Sequence, residues 1–147
     1  MKTAELNSRF DYAALLLRLS LGSMYLAHAG LKFFTFTLAG TAQFFESAGF
    51  PGWSAYVVAF AELGAGILLI LGWQTRWIAL ALVPVLIGAT TVHWGNGWVF
   101  TAKGGGWEYP VFLVIASIVQ SLLGDGAFAL ARYKPPRQLA AAHAPSS

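Results

Sequence analysis

Four long apolar stretches, at residues 12–34, 53–72, 76–93 and 107–123, constrain this chain more than any other feature. A helix needs about 20 mostly apolar residues to cross a hydrocarbon core roughly 30 Å thick. The first two stretches meet that length outright. The third contains Pro84, which a membrane helix tolerates when neighbours or a local kink take up the freed carbonyl. The fourth is shorter and opens with Glu108 and Pro110, where proline's preset backbone and missing donor suit a first helical turn. Gly124, Asp125 and Gly126 are placed to end it. A water-soluble helical protein would carry polar stripes at the helical period, whereas these stretches are apolar nearly all the way round. The expected fold is all-α: a polytopic bundle of four transmembrane helices forming one domain, residues 1–131. A disordered cytoplasmic tail, residues 132–147, is expected after it, because Pro, Ala, Ser and basic residues there leave little to bury.

Composition bounds the function as well. Only 10% of the residues are charged and 57% are hydrophobic, where a soluble domain carries roughly 25% charged residues. The formal net charge of +3 is spread over the ends of the chain and of the helices, with no basic face, so a nucleic-acid partner is not expected. Cysteine is absent, which excludes disulfides, thiol redox chemistry and thiolate-ligated iron–sulfur or zinc centres, and no metal site is assigned. The polar opening MKTAELNSRFD leads into an apolar run that is too long for a signal peptide and lacks an Ala-x-Ala cleavage pattern. A retained first span is expected.

Lysines and arginines near the span ends set the orientation. Lys2, Arg9, Arg76, Arg132, Lys134 and Arg137 lie on one side, Lys32 and Lys103 on the other, which puts both termini in the cytoplasm. The long connections, 35–52 and 94–106, then face outward and the tight turn 73–75 inward. Both outer connections are rich in glycine and aromatics, as suits the interface, and residues 41–48 are expected to form a short interfacial helix.

An ionisable side chain at membrane depth is costly, so Arg18, His28, Glu62 and His93 each call for a partner and are candidates for function. The depths of Arg18 and Glu62 differ by about one helical turn, a gap that an arginine can bridge. The simplest reading is a structural ion pair between spans one and two; the sharper one makes Glu62 a proton-relay carboxylate. Gly64 and Gly66, in the surrounding AELGAG, are expected to let another helix approach closely.

His28 and Lys32 lie one turn apart on span one, and His93 and Glu108 reach the same outer level, so the four can converge under the outer loops. Singly, each has a plainer role: a lysine or histidine near a helix end can snorkel to water, and a glutamate favours a helix N-terminus. Trp94, Trp98, Trp107 and Tyr109 frame the same side. Flat rings beside hydrogen-bonding groups suit a quinone, although tryptophans at this depth also serve simply as interface anchors. A haem held by His28 and His93 is disfavoured, since one outer-facing pair is thin support.

Five motifs follow one another along residues 18–126: RLSLGSMYLAHAGLK, AGTAQFFESAGFP, AELGAGILLILG, VHWGNGW and GGGWEYP. In this order they resemble the DoxX family of small bacterial inner-membrane proteins. The resemblance implies a four-helix, multi-pass protein of the inner (cytoplasmic) membrane. It also implies kinship with the DoxD-type proteins linked to a membrane thiosulfate:quinone oxidoreductase, and with DoxX-like proteins associated with oxidative stress or quinone detoxification. Through it, His28, Lys32, Glu62, His93, Trp94, Asn96, Trp107 and Glu108 become candidate ligand-binding residues, with His28 and Glu62 as catalytic candidates.

Three functions compete. The first is a quinone-linked oxidoreductase subunit, in which His28 and Glu62 exchange protons and Lys32 orients the ring oxygens while a redox protein partner holds the electron-transfer centre. No nucleotide fingerprint is present, so an independent enzyme is not expected. The second is a non-catalytic scaffold recruiting a partner through the basic tail or the outer loops. The third is a small transporter, which lacks inverted repeats and would need a homo-oligomer.

Overall fold

The computed structural model describes residues 2–133, and among them every regular element is helical. Five α-helices follow in order: α1 (Lys2–Gly30), α2 (Leu38–Ser47), α3 (Gly52–Leu71), α4 (Thr75–His93) and α5 (Glu108–Leu123). Three helical segments are long and apolar enough to cross a membrane, Asn7–Thr35, Gly52–Leu71 and Thr75–Asn96. Helix α5 is also apolar but has 16 residues, about 24 Å at the usual helical rise.

The first helix starts earlier than its apolar run, at Lys2, and ends in a wide π-helical turn over Leu31–Thr35 closed by the Phe36 amide on the Leu31 carbonyl at 2.8 Å. Thr37 then breaks the helix with φ of 61° and starts the next, its side chain accepting from the Gly40 amide. The short interfacial helix read from residues 41–48 is thus α2, begun three residues sooner by this cap. Helix α3 ends where Gly72 takes the left-handed conformation, φ 71°, that only glycine adopts without strain.

The helices close a ring. Helix α1 packs on α3 and α5, and α4 packs on α3 and α5 in turn, with α2 lying against α3. Leu21, Tyr25, Leu69, Leu82, Leu86 and Leu113 meet at its centre. Helices α1 and α3 approach closely at Gly22 and Gly66: a Cβ on either would stand 3.0 Å from the other's carbonyl oxygen. Gly64, expected to share that role, faces open space instead. It stands two residues from Gly66, on a different side of the helix.

After α5 the chain doubles back across one end of the ring. The Ala127 amide donates to the Asp11 carbonyl and the Ala131 amide to the Gly72 carbonyl, at 2.9 and 3.2 Å. Arg132, expected to open a disordered tail, instead grips both carboxylate oxygens of Asp11 at 2.7 and 2.8 Å. The rest of the tail lies outside the described residues. This end of the ring is the strap end; the opposite one, carrying α2 and the 94–107 connection, is the loop end.

Candidate functional site

The π-helical turn that ends α1 swings Lys32 toward α3, where its ammonium meets Glu62 Oε2 at 2.7 Å. Side-chain exposure of 14% and 9% makes this a largely buried pair in the loop half of the ring. One extra residue per turn is a device seen at functional sites, and here it sets where the lysine points.

The ion pair expected between Arg18 and Glu62 is not formed. Arg18 instead donates to the carbonyls of Leu69 and Ile70, at 3.2 and 2.8 Å, and of Ala127, at 2.7 Å. The physical reason is depth: Glu62 stands seven residues from Leu69 along α3, about 10 Å at the usual rise. At the C-terminus of α3, orphan carbonyls and the negative end of the helix dipole satisfy the guanidinium without a carboxylate.

Among the described residues, two polar side-chain contacts join α1 and α5. Tyr25 and Ser117 share a buried hydrogen bond of 2.9 Å between hydroxyls. Nearer the loop end, His28 Nε2 stands 3.4 Å from the Tyr109 hydroxyl, with the rings 6.0 Å apart. Deeper toward the strap, Gln120 donates to the Gly124 carbonyl at 2.8 Å, while its Oε1 and Arg18 Nε stay buried without a protein partner.

The expected convergence of His28, Lys32, His93 and Glu108 splits in two. His28 and Lys32 face Tyr109 and Glu62. His93 and Glu108 serve the glycine-rich connection: His93 Nδ1 stands 3.0 Å from the Gly104 carbonyl, and Glu108 Oε1 accepts from the Phe100 amide at 2.8 Å. Asn96 donates to the carbonyls of Gly104 and Gly105 at 3.1 and 2.9 Å. A run of glycines exposes backbone that no side chain of its own can cover, so flanking polar residues satisfy it. Trp94 stacks on Trp107 at 4.8 Å and Trp98 meets the same ring edge-on at 4.5 Å, so these rings are engaged first with one another.

A shallow groove of about 410 Å³ runs over α5 from Trp98, Phe100 and Glu108 to Tyr109 and Ile115. Its walls are mostly apolar, with Glu108 and Tyr109 among the residues that line it, and the Tyr109 hydroxyl stands at His28. At the strap end, outside the spans, the Asp11 carboxylate holds the Arg132 guanidinium above its ordinary pKa by direct hydrogen bonding.

Tyr25 and Ser117 escape a reading that weighs only formal charge. A signal for Tyr25 was present: Asp11, Arg18, Tyr25 and Lys32 recur every seven residues, the first three on one stripe of α1 and Lys32 in the π-helical turn that follows it. Each of them is bonded to another part of the chain, to Arg132, to α3 and Ala127, to Ser117 and to Glu62.

The family model for DoxX matches residues 13–94, a span that contains His28, Lys32, Glu62 and His93. A protein of Bacillus subtilis (strain 168) named "Putative oxidoreductase CatD" is 34% identical over 130 residues, covering 85% of this chain and 89% of its own length. No solved structure matches the chain. With more than half of its length matched by the family model, and a relative aligned along most of both chains, the chain belongs to the DoxX family.

Proposed function

We propose that this chain is a four-span protein of the bacterial inner membrane that acts as a quinone-linked subunit of a redox system, with oxidative stress as its setting. The observation that carries the reading is the Lys32–Glu62 pair with His28 and Tyr109 beside it, ionisable groups gathered in the loop half of a ring of apolar helices. Groups of this kind are expensive at membrane depth and are retained for function. The oxidoreductase name of the Bacillus subtilis relative points the same way.

Four spans and cytoplasmic termini rest on two supports. Helix α5 and the strap that follows it run beside α1 from Tyr109 at His28 to Ala127 at Asp11, almost the full apolar length of α1. Arg9, Arg76 and Arg132 belong to the strap end and Lys32 and Lys103 to the loop end, which by the positive-inside rule turns the strap to the cytoplasm. Residues 1–131 then act as one membrane domain with the chain beyond them as a cytoplasmic extension.

The residues present suit a quinone. Lys32, His28 and Tyr109 offer hydrogen bonds for ring oxygens, and the groove that Tyr109 lines is mostly apolar, as a ring and its hydrocarbon tail require. A bound quinone supplies two-electron, two-proton carbonyl chemistry. On this reading Lys32 orients an oxygen, Glu62 keeps Lys32 charged and in place, and His28 shares a proton with Tyr109. Electrons come from a partner protein that holds the redox centre.

The test is purification in native nanodiscs followed by mass spectrometry and optical spectroscopy. Stoichiometric quinone in the native chain, lost in His28→Ala or Glu62→Gln, is the expected result. A chain that carries no quinone and yields a reproducible protein partner would move the function to the scaffold.

A further inference from the structure

The two ends of the α1–α5 seam differ. Toward the loop end, His28 and Tyr109 are half-buried, and the groove on α5 connects the Tyr109 region with the connection at Trp98 and Phe100. Toward the strap end, Tyr25, Ser117, Gln120 and Arg18 are each 2% exposed or less. The polar groups of the ring thus grade from accessible to sealed along one helix.

The seal has identifiable parts. The Arg18 side chain spans from the end of α3 to the Ala127 carbonyl and plugs the gap between α1, α3 and the strap. A Cβ at Gly72 would collide with Ala129, and one at Gly126 would stand 2.7 Å from the Ala14 Cβ, so the strap lies flush on both helices. Asp125 fastens the strap to α4, accepting from the Thr75 amide at 2.9 Å and its hydroxyl at 2.5 Å. Arg132 fastens it to α1 through Asp11.

We infer that the polar groups at Lys32, Glu62, His28 and Tyr109 exchange protons and solutes with the loop end only, and that the 124–132 strap with Arg18 bars them from the strap end. This goes beyond the quinone reading and needs no quinone: it concerns the sidedness of the ring, and the labelling below reads it whether or not a quinone is bound. Any proton taken up or released at the site is therefore drawn from one face of the membrane. A buried salt bridge alone would require no such asymmetry.

The absence of cysteine makes the test direct. Single-cysteine chains are inserted into phosphatidylethanolamine–phosphatidylglycerol vesicles and exposed to a membrane-impermeant methanethiosulfonate from one side at a time. Thr101→Cys and Ala131→Cys, both at exposed positions, report which end faces the reagent. Tyr109→Cys is expected to react from the loop side alone, and Ser117→Cys and Gln120→Cys from neither side. Adding Arg132→Gln and Asp125→Ala, which release the strap from α1 and from the start of α4, is expected to raise Ser117→Cys reactivity from the strap side about tenfold or more by local opening. Reaction of Ser117→Cys or Gln120→Cys from the strap side with the strap intact would overturn the inference. So would Tyr109→Cys reacting equally from both sides, or a released strap that leaves Ser117→Cys inert.

Discussion

Lys32 and Glu62 join the end of α1 to the middle of α3 through a 2.7 Å ion pair. Removing one partner of a largely buried pair leaves the other charge without compensation, which costs about 3–5 kcal/mol in buried sites. Glu62→Gln is therefore expected to lower the unfolding midpoint in mild detergent strongly. The double variant Lys32→Met with Glu62→Leu is expected to recover most of the loss. Equal instability of the single and double variants would show that the pair is not the source.

The α1–α3 contact predicts a split between neighbouring glycines. A Cβ at Gly66 stands 2.8 Å from Leu26 and 3.0 Å from the Gly22 carbonyl. Gly66→Ala should then cost about 1–3 kcal/mol by overpacking. Gly64→Ala meets nothing within 4 Å and should be neutral, or stabilising by up to about 1 kcal/mol through helix propensity. Thermal unfolding of the two variants side by side decides it.

Tyr25 and Ser117 satisfy each other where neither reaches solvent. Tyr25→Phe should cost about 1–3 kcal/mol, because the Ser117 hydroxyl is left buried and unpaired. In Tyr25→Phe with Ser117→Ala the two losses should be less than additive. A double-mutant cycle on chemical unfolding measures the coupling, and a coupling near zero would remove this bond from the account of the seam.

Asp125 acts as the cap of α4 although it lies fifty residues away in sequence. Asp125→Ala should cost about 0.5–2 kcal/mol, as loss of an N-cap does. Asp125→Asn, which keeps an acceptor oxygen, should retain most of the stability. Proteolysis near the 73–75 turn should rise in the first variant and stay low in the second.

The Trp94–Trp107–Trp98 stack predicts a spectroscopic contrast. Trp107 touches both of the other rings, so Trp107→Leu should shift the fluorescence of the remaining tryptophans. An unchanged emission spectrum would show that the stack does not set their environment.

Much of this protein was legible as sequence because the bilayer allows few solutions. Apolar runs of helical length must be helices, a backbone without water must satisfy itself within them, and glycine at 72 and 124 marks where they stop. Lys32, Glu62 and His28 stood out for the same reason: charge and imidazole are scarce in such runs.

Partners were another matter. Sequence depth allowed Arg18 to reach Glu62, and the folded chain pairs Glu62 with Lys32, because a π-helical turn adds a residue that no periodicity announces. His93 and Glu108 looked like members of one cluster and serve a loop instead, His93 at the Gly104 carbonyl and Glu108 at the Phe100 amide, since the demand of that backbone appears only when the connection folds. The sequence by itself determined which segments are helical and which polar residues are costly. Only the tertiary structure decided which groups meet, because helix rotation, side-chain reach and the return of the strap over Arg18 are set by packing among several segments at once.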